Sequence, residues 1–302
     1  MPTKTSLASA TRRIQWRLKM ECHLRLLLTF IYCNQGNWSA ARKCLDILKA
    51  SIRRFELSTN TDLFSRWSTY LEAAIAQGTG DVDKALSLFQ SPLFTIPEVP
   101  PNRTPNAQQD LAILASLNAL LIIRSPTHPS HHLAAPILTA LETLALNHPN
   151  KSLQSATYLL KTLLEDPATS KIIKQKQSLQ QALSLARKVS NQQLLTLSMN
   201  LMTSLFFKDI VGDQATKSFH AGWVLAKRCE ASGAGSGSSS SGEAADGRGG
   251  LWTAVAGSMW ADTLEKQGTS GKAEELRREA RDILERLPGG VKERFVVEEE
   301  GC

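Results

Sequence analysis

The sequence predicts an all-α protein assembled from helical hairpins, and three observations carry that prediction. Apolar residues recur with the 3.6-residue period of a helix from Ile14 to Leu287, and turn-forming residues cut the pattern into helix-length pieces. Leu, Ala, Ser, Lys and Gln dominate while Val and Ile seldom cluster, a balance that favours helix over sheet. A Gly is followed five positions on by an Ala in three places: "GNWSAARKCLDIL" (Gly36, Ala41), "GTGDVDKALSLF" (Gly80, Ala85) and "GTSGKAEELRREA" (Gly268, Ala273).

The elements follow in order. The opening "MPTKTSLASATRRIQWRLKM" is Ser/Thr-rich and basic, with no acid before Glu21, a composition it shares with mitochondrial presequences. The helical pattern runs on unbroken through Leu24, Leu27, Leu28 and Ile31, so residues 8–34 read as an ordinary first helix. Helices follow at 38–56, 61–77 and 81–90. Residues 91–106 contain Pro92, Pro97, Pro100, Pro101 and Pro105, too many for a helix, and read as an extended connector. Further helices are expected at 107–124, 132–146, 151–165, 170–189, 191–209 and 213–230, closing an array over residues 1–230. "ASGAGSGSSSSGEAADGRGG" (231–250) cannot bury apolar area and reads as a disordered loop. The pattern resumes at once with Leu251 and Trp252, which marks an insertion rather than a domain boundary. Helices at 251–267 and 270–286 form a last hairpin (251–287), and 288–302 is a tail.

The Gly and Ala residues have separate tasks at a hairpin. Gly tolerates the left-handed conformation that ends the first helix, and Ala lets the second helix approach closely. Its partner should also be small, and seven residues before each Gly stand Thr29, Ala73 and Ala261. Ala280, seven beyond Ala273, lies on the same face. Three hairpins of one pattern make a tandem repeat that resembles the tetratricopeptide repeat and implies a superhelical array. The spacing is irregular, 44 residues from Gly36 to Gly80, and around Gly212 the small positions hold Leu205 and Lys217. In such an array the first helix of each hairpin lines the concave groove. By phase, the groove candidates are Asn34, Tyr70, Gln77, Asp262 and Glu265, whose amides would satisfy a peptide backbone and whose carboxylates would meet Lys or Arg. The bland alternative is that they are merely solvated.

Charge and composition bound the partners. The net charge is +7, and residues 1–60 hold eleven Lys or Arg against Glu21, Asp46 and Glu56, which leaves +8 there. Direct nucleic-acid contact would fall to that stretch, against the reading of a solvated helix face. The longest apolar run, "LRLLLTFIYC", is too short to span a membrane and is interrupted by Arg25. Cys22, Cys33, Cys44, Cys229 and Cys302 form no Cys-x-x-Cys pair and read as reduced thiols, with Cys22 and Cys33 in the core. "SPTHPSHH" holds His128, His131 and His132 with no other metal-ligating residue near, and reads as a polar turn. No phosphate-binding Gly loop, metal-spaced set or Gly-x-Ser-x-Gly elbow occurs, so neither an enzyme nor a cofactor is expected. Trp16, Trp38, Trp67, Trp223, Trp252 and Trp260 fall at helical spacing and read as repeat core rather than stacking platforms.

Two longer strings narrow the family. "YLEAAIAQGTGDVDKALSLFQSPLF", followed by the Pro-rich connector, resembles the central part of fungal cohesin loading factors, the tetratricopeptide subunit of the cohesin loader. "SLQQALSLARKVSNQQLLTLSMNLMTSLFFKDIVGDQATKSFHAGWVLAKR" and "LWTAVAGSMWADTLEKQG" are similar to that family's last helices, so the resemblance runs from about Trp16 to Leu287. Family members are longer, which implies N-terminal repeats absent here, and the Ser/Gly insertion splits the penultimate helix pair. The resemblance implies a nuclear, chromatin-associated subunit that binds the extended N-terminal segment of a large HEAT-repeat loader subunit. The pair would place cohesin on chromatin for sister-chromatid cohesion, with ATP hydrolysis left to cohesin. A generic tetratricopeptide adaptor of another complex is the alternative.

Overall fold

A computed structural model of the chain describes residues 4–34, 36–56, 62–95, 107–125, 127–164, 172–206, 212–233 and 250–286. These residues form an all-α helical-repeat array without a strand. In chain order the helices are α1 (Lys4–Asn34), α2 (Trp38–Glu56), α3 (Asp62–Gly78), α4 (Val82–Phe89), α5 (Ala107–Ile123) and α6 (Ala134–Ala145). They continue as α7 (Lys151–Leu164), α8 (Ile172–Lys188), α9 (Gln192–Phe206), α10 (Asp213–Gly233), α11 (Leu251–Lys266) and α12 (Ser270–Arg286). The tail at 288–302 and most of the Ser/Gly insertion lie outside the described residues, although α10 continues to Gly233, past the expected start of the loop. The chain divides into two compact units, residues 1–141 and 142–302, a division that no change of composition announces.

In the first unit α1 pairs with α2 and α3 with α4, and α2 packs on α3. Each hairpin is closed by a left-handed Gly, Gly36 at φ 68° and Gly80 at φ 90°. The N–H of Gly36 reaches the Cys33 carbonyl (3.0 Å) and that of Asn37 reaches Tyr32 (2.9 Å), the paired bonds of a Schellman stop. Thr29, Ala41, Ala73 and Ala85 have no exposed surface. The hairpins are locked to each other by Trp38, whose ring leaves no room for a side chain at Gly78: a Cβ there would lie 2.5 Å from ring carbons. The Pro-rich connector begins as a single 3-10 turn, Pro92–Phe94, with Phe94 buried and Arg66 Nη1 donating to the Leu93 carbonyl (2.6 Å). Residues 96–106 lie outside the described residues. Helix α5, apolar nearly all round, packs on α3 and α4 and buries Leu111, Ile113, Leu117, Leu120 and Ile123. Trp16, expected in the core, is instead 63% exposed on α1.

In the second unit successive helices from α7 to α12 pack pairwise. At the α11–α12 turn Gly268 has φ 76°, and Ala261, Ala273 and Ala280 are buried; Ala261 and Ala273 share a core cluster with Phe219, Trp260, Leu264 and Leu276, and Ala280 one with Ala254 and Ile283. A further tight turn joins α8 to α9 through Ser190, a non-Gly residue at φ 52°. The insertion between α10 and α11 does not separate them. Glu230 accepts from the Gly250 N–H, from the Trp252 N–H (2.7 Å), from the Thr253 N–H (3.4 Å) and from the Thr253 hydroxyl (2.5 Å). One carboxylate thus satisfies the orphan donors that open α11 and meets the positive end of its dipole. Helix α10 is thereby tied to the first turn of α11.

Candidate peptide-binding residues

The five groove candidates fall into two places, one in each unit. In the first unit Asn34 is exposed at the end of α1 and Gln77 is half-buried at the end of α3. Tyr70 requires a correction: it is a core residue, 8% exposed, rather than a groove residue. Its ring packs against Trp67 (5.8 Å), Phe89 (5.7 Å) and Phe94 (6.5 Å), and its hydroxyl accepts from Asn118 Nδ2 (3.1 Å). Burial pushes the Tyr70 phenol up to about 12, against the lowering effect of the Asn118 bond. Phase alone could not separate the two outcomes, because the partner that satisfies the hydroxyl stands 48 residues on.

A polar assembly of this unit joins three helices. Lys49 of α2 and Lys84 of α4 converge on Glu72 of α3, at 2.5 and 3.1 Å. They edge a recess of about 380 Å³ whose rim also holds Arg42, Asp46 and Asp81. Burial tends to raise the Glu72 carboxyl, but the hydrogen bonds from Lys49 and Lys84 outweigh it and hold it below the usual range. The rim carries both signs and so suits no single ion. In the sequence only the 23-residue and 12-residue separations from Glu72 were visible, and neither is a local spacing.

In the second unit Asp262 and Glu265 are exposed on α11, and both meet Arg277 of α12. The Arg277 to Asp262 distance is 2.9 Å. The hydrogen bond from Arg277 holds the Glu265 carboxyl below its ordinary range. Their negative charge is thus shared within the hairpin, although both side chains remain more than half exposed. In the same unit His220, Trp223 and Trp260 pack against one another at tilted and edge-on angles, with Lys227 3.6 Å from the Trp223 ring centre and Lys272 4.8 Å from that of Trp260. That cluster joins α10, α11 and α12 and accounts for two of the six tryptophans as core.

The histidines of the 128–132 turn are used for its own backbone: His128 Nδ1 accepts from the Ser130 N–H (3.1 Å), and His131 Nδ1 lies 3.0 Å from the Ile123 carbonyl. Among the described residues no group of His, Cys, Asp and Glu could hold a metal ion. No helix among them is long and apolar enough to cross a membrane. Burial pushes the Cys33 thiol up to about 11, which keeps it protonated and unreactive.

The repeat pattern and the helical hairpins meet a finding from comparison: a family model described as cohesin loading factor matches residues 2–271. The chain belongs to the cohesin loading factor family. No curated protein and no solved structure matches it. The match takes in both units and ends just inside α12. Membership gives this cohesin loading factor a role in cohesin loading.

Proposed function

We propose that the chain is a non-enzymatic scaffold subunit of the cohesin loader, acting in the nucleus by binding the extended N-terminal segment of a large HEAT-repeat loader subunit. Cohesin and chromatin would be reached through that partner, and sister-chromatid cohesion is the process served. The observation that carries the reading is the combination of family membership with an array of hairpins whose first helices expose polar residues, as Asn34 on α1 and Asp262 and Glu265 on α11. An extended segment lacks internal hydrogen bonds and is recognised by such side chains, its Lys or Arg by the two carboxylates. Arg277 preorganises both carboxylates and would have to share them with an incoming cation.

The test is titration calorimetry of the chain with the N-terminal segment of the HEAT-repeat subunit. Replacing Asp262 and Glu265 together by Lys is expected to weaken binding without unfolding the chain, with only a small drop in the melt from the lost, exposed Arg277 pairs. No heat with the unsubstituted chain would overturn the partner assignment. Unchanged affinity in the variant would keep the partner and remove these two residues from its site. Affinity for duplex DNA that falls steeply with salt would instead assign the basic first 60 residues to phosphate contact.

A further inference from the structure

Helices α1 and α12 differ in how they treat the face they turn outward. Helix α12 buries Ala273, Leu276, Ala280 and Ile283 and shows solvent a charged face. Helix α1 has two apolar faces. One carries Cys22 and Thr29, fully buried, with Leu18, Leu26 and Cys33 half-buried, in the helix that packs on α2 and α3. The other runs through Trp16, Met20, Leu24, Leu27 and Ile31 and is open, with Leu24 55% and Leu27 56% exposed. A contiguous exposed apolar stripe of this kind marks an interaction surface.

The stripe has helical spacing and a charged border. Fifteen residues separate Trp16 from Ile31, a length of about 22 Å or four turns. Trp16, Met20, Leu24 and Leu28 line a shallow groove with Arg17, Arg25 and Glu21. Glu21 already accepts from the Ser51 hydroxyl (3.1 Å). Arg13 stands one turn before Arg17, and among the described residues none of Arg13, Arg17 and Arg25 is in an ion pair. Among the described residues the border is therefore net positive, three arginines against Glu21.

We propose that the outer face of α1 docks an amphipathic helix of a partner polypeptide, apolar toward Trp16, Leu24 and Leu27 and acidic along its flanks. The geometry is that of a helix laid along a groove, with anchors every three or four residues. The acidic flanks follow from the arginines, since a second copy of α1 would set Arg13, Arg17 and Arg25 against themselves. This surface is independent of the extended segment proposed above, and either can fail without the other.

The probe is a pair of labelled helical peptides of about 18 residues, long enough to cover the stripe, each with one Leu face and with flanks of either Glu or Lys. Fluorescence anisotropy against the whole chain should show the Glu-flanked peptide binding about tenfold more tightly, with the advantage shrinking as salt is raised. Replacing Leu24 and Leu27 together by Asn should weaken that binding at least tenfold, on the order expected for lost burial of two Leu side chains, with the melt unchanged. Replacing Arg13 and Arg17 by Glu should reverse the preference between the two peptides. Equal affinities, or no binding of either, would overturn the proposal. So would a concentration-dependent dimer in sedimentation that L24N/L27N abolishes, which would give the face to a second copy. Displacement of the Glu-flanked peptide by vesicles of anionic lipid would overturn it in favour of a membrane surface.

Discussion

Two turns of the molecule share one hydrogen-bond pattern and have unlike sequences. Between α3 and α4 the left-handed residue is Gly80 (φ 90°), and between α8 and α9 it is Ser190 (φ 52°). Gly80 N–H reaches Gln77 and Asp81 N–H reaches Ala76, at 3.3 and 2.9 Å; Ser190 N–H reaches Arg187 and Asn191 N–H reaches Ala186, at 3.1 and 3.0 Å. In both, the next residue then caps the second helix: Asp81 Oδ1 accepts from Lys84 N–H (3.3 Å) and Asn191 Oδ1 from Leu194 N–H (3.1 Å). The packing positions nevertheless differ. Five residues on, Ala85 is fully buried where Leu195 is half-buried, and seven residues before, Ala73 is fully buried where Leu183 is half-buried. A left-handed residue plus an N-cap makes the turn, whether small or large residues stand at the two packing positions.

The largest expected break in the comparison is at the packing position. Ala85→Leu should cost about 1–3 kcal/mol by overpacking. Leu195→Ala, at the equivalent place, should cost less than a fully buried Leu would, because Leu195 keeps contact with solvent. Chemical denaturation reads both, and an unchanged midpoint for Ala85→Leu would remove Ala85 from the crossing. Next is the turn itself: Gly80→Ala places a Cβ in the left-handed region and should cost about 1–2 kcal/mol. The caps should then prove alike. Asp81→Ala and Asn191→Ala should each cost about 1 kcal/mol, and a large gap between them would show that the two turns are not equivalent.

One difference in the hairpins is acid sensitivity. Glu72 beside the α3–α4 turn has a folded-state pKa lowered from 4.5, so its contribution is present above that value and is lost as pH falls through the lowered one. Glu72→Gln should therefore reduce stability at neutral pH by less than about 1 kcal/mol, in keeping with a partly exposed pair, and should flatten the fall in stability on acidification. A melt series from pH 7 downward, with the two slopes compared, decides it.

What was legible in the chain follows the same division. Three of the turns announce themselves because Gly36, Gly80 and Gly268 are helix-ending residues at fixed distance from small ones, all local in sequence. The Ser190 turn was hidden, since its only local mark is a polar pair, Ser190-Asn191, followed by a helical pattern. Helical period showed that α1 was apolar but not that one of its faces would be left open, because period cannot say how many neighbours a helix has. Tyr70 and the Glu230 clamp failed for another reason. Their partners, Asn118 and Gly250 to Thr253, lie 48 and 20 to 23 residues away, and a pairing across an insertion leaves no spacing to read.

The smallest expected effect is the one that tests the comparison most sharply. If Ser190 occupies the same conformation as Gly80, its Cβ pays a steric cost that Gly would not. Ser190→Gly should remove that cost, of about 1 kcal/mol, but Gly also has more freedom to lose on folding, which takes back roughly half of it. Ser190 is exposed, so no side-chain packing is lost. The net expectation is a gain of about 0.5 kcal/mol, opposite in sign to Gly80→Ala. The two variants, melted side by side, form the decisive pair. A loss of stability for Ser190→Gly would mean that the Ser190 hydroxyl, and not the backbone shape it shares with Gly80, is what holds the α8–α9 turn.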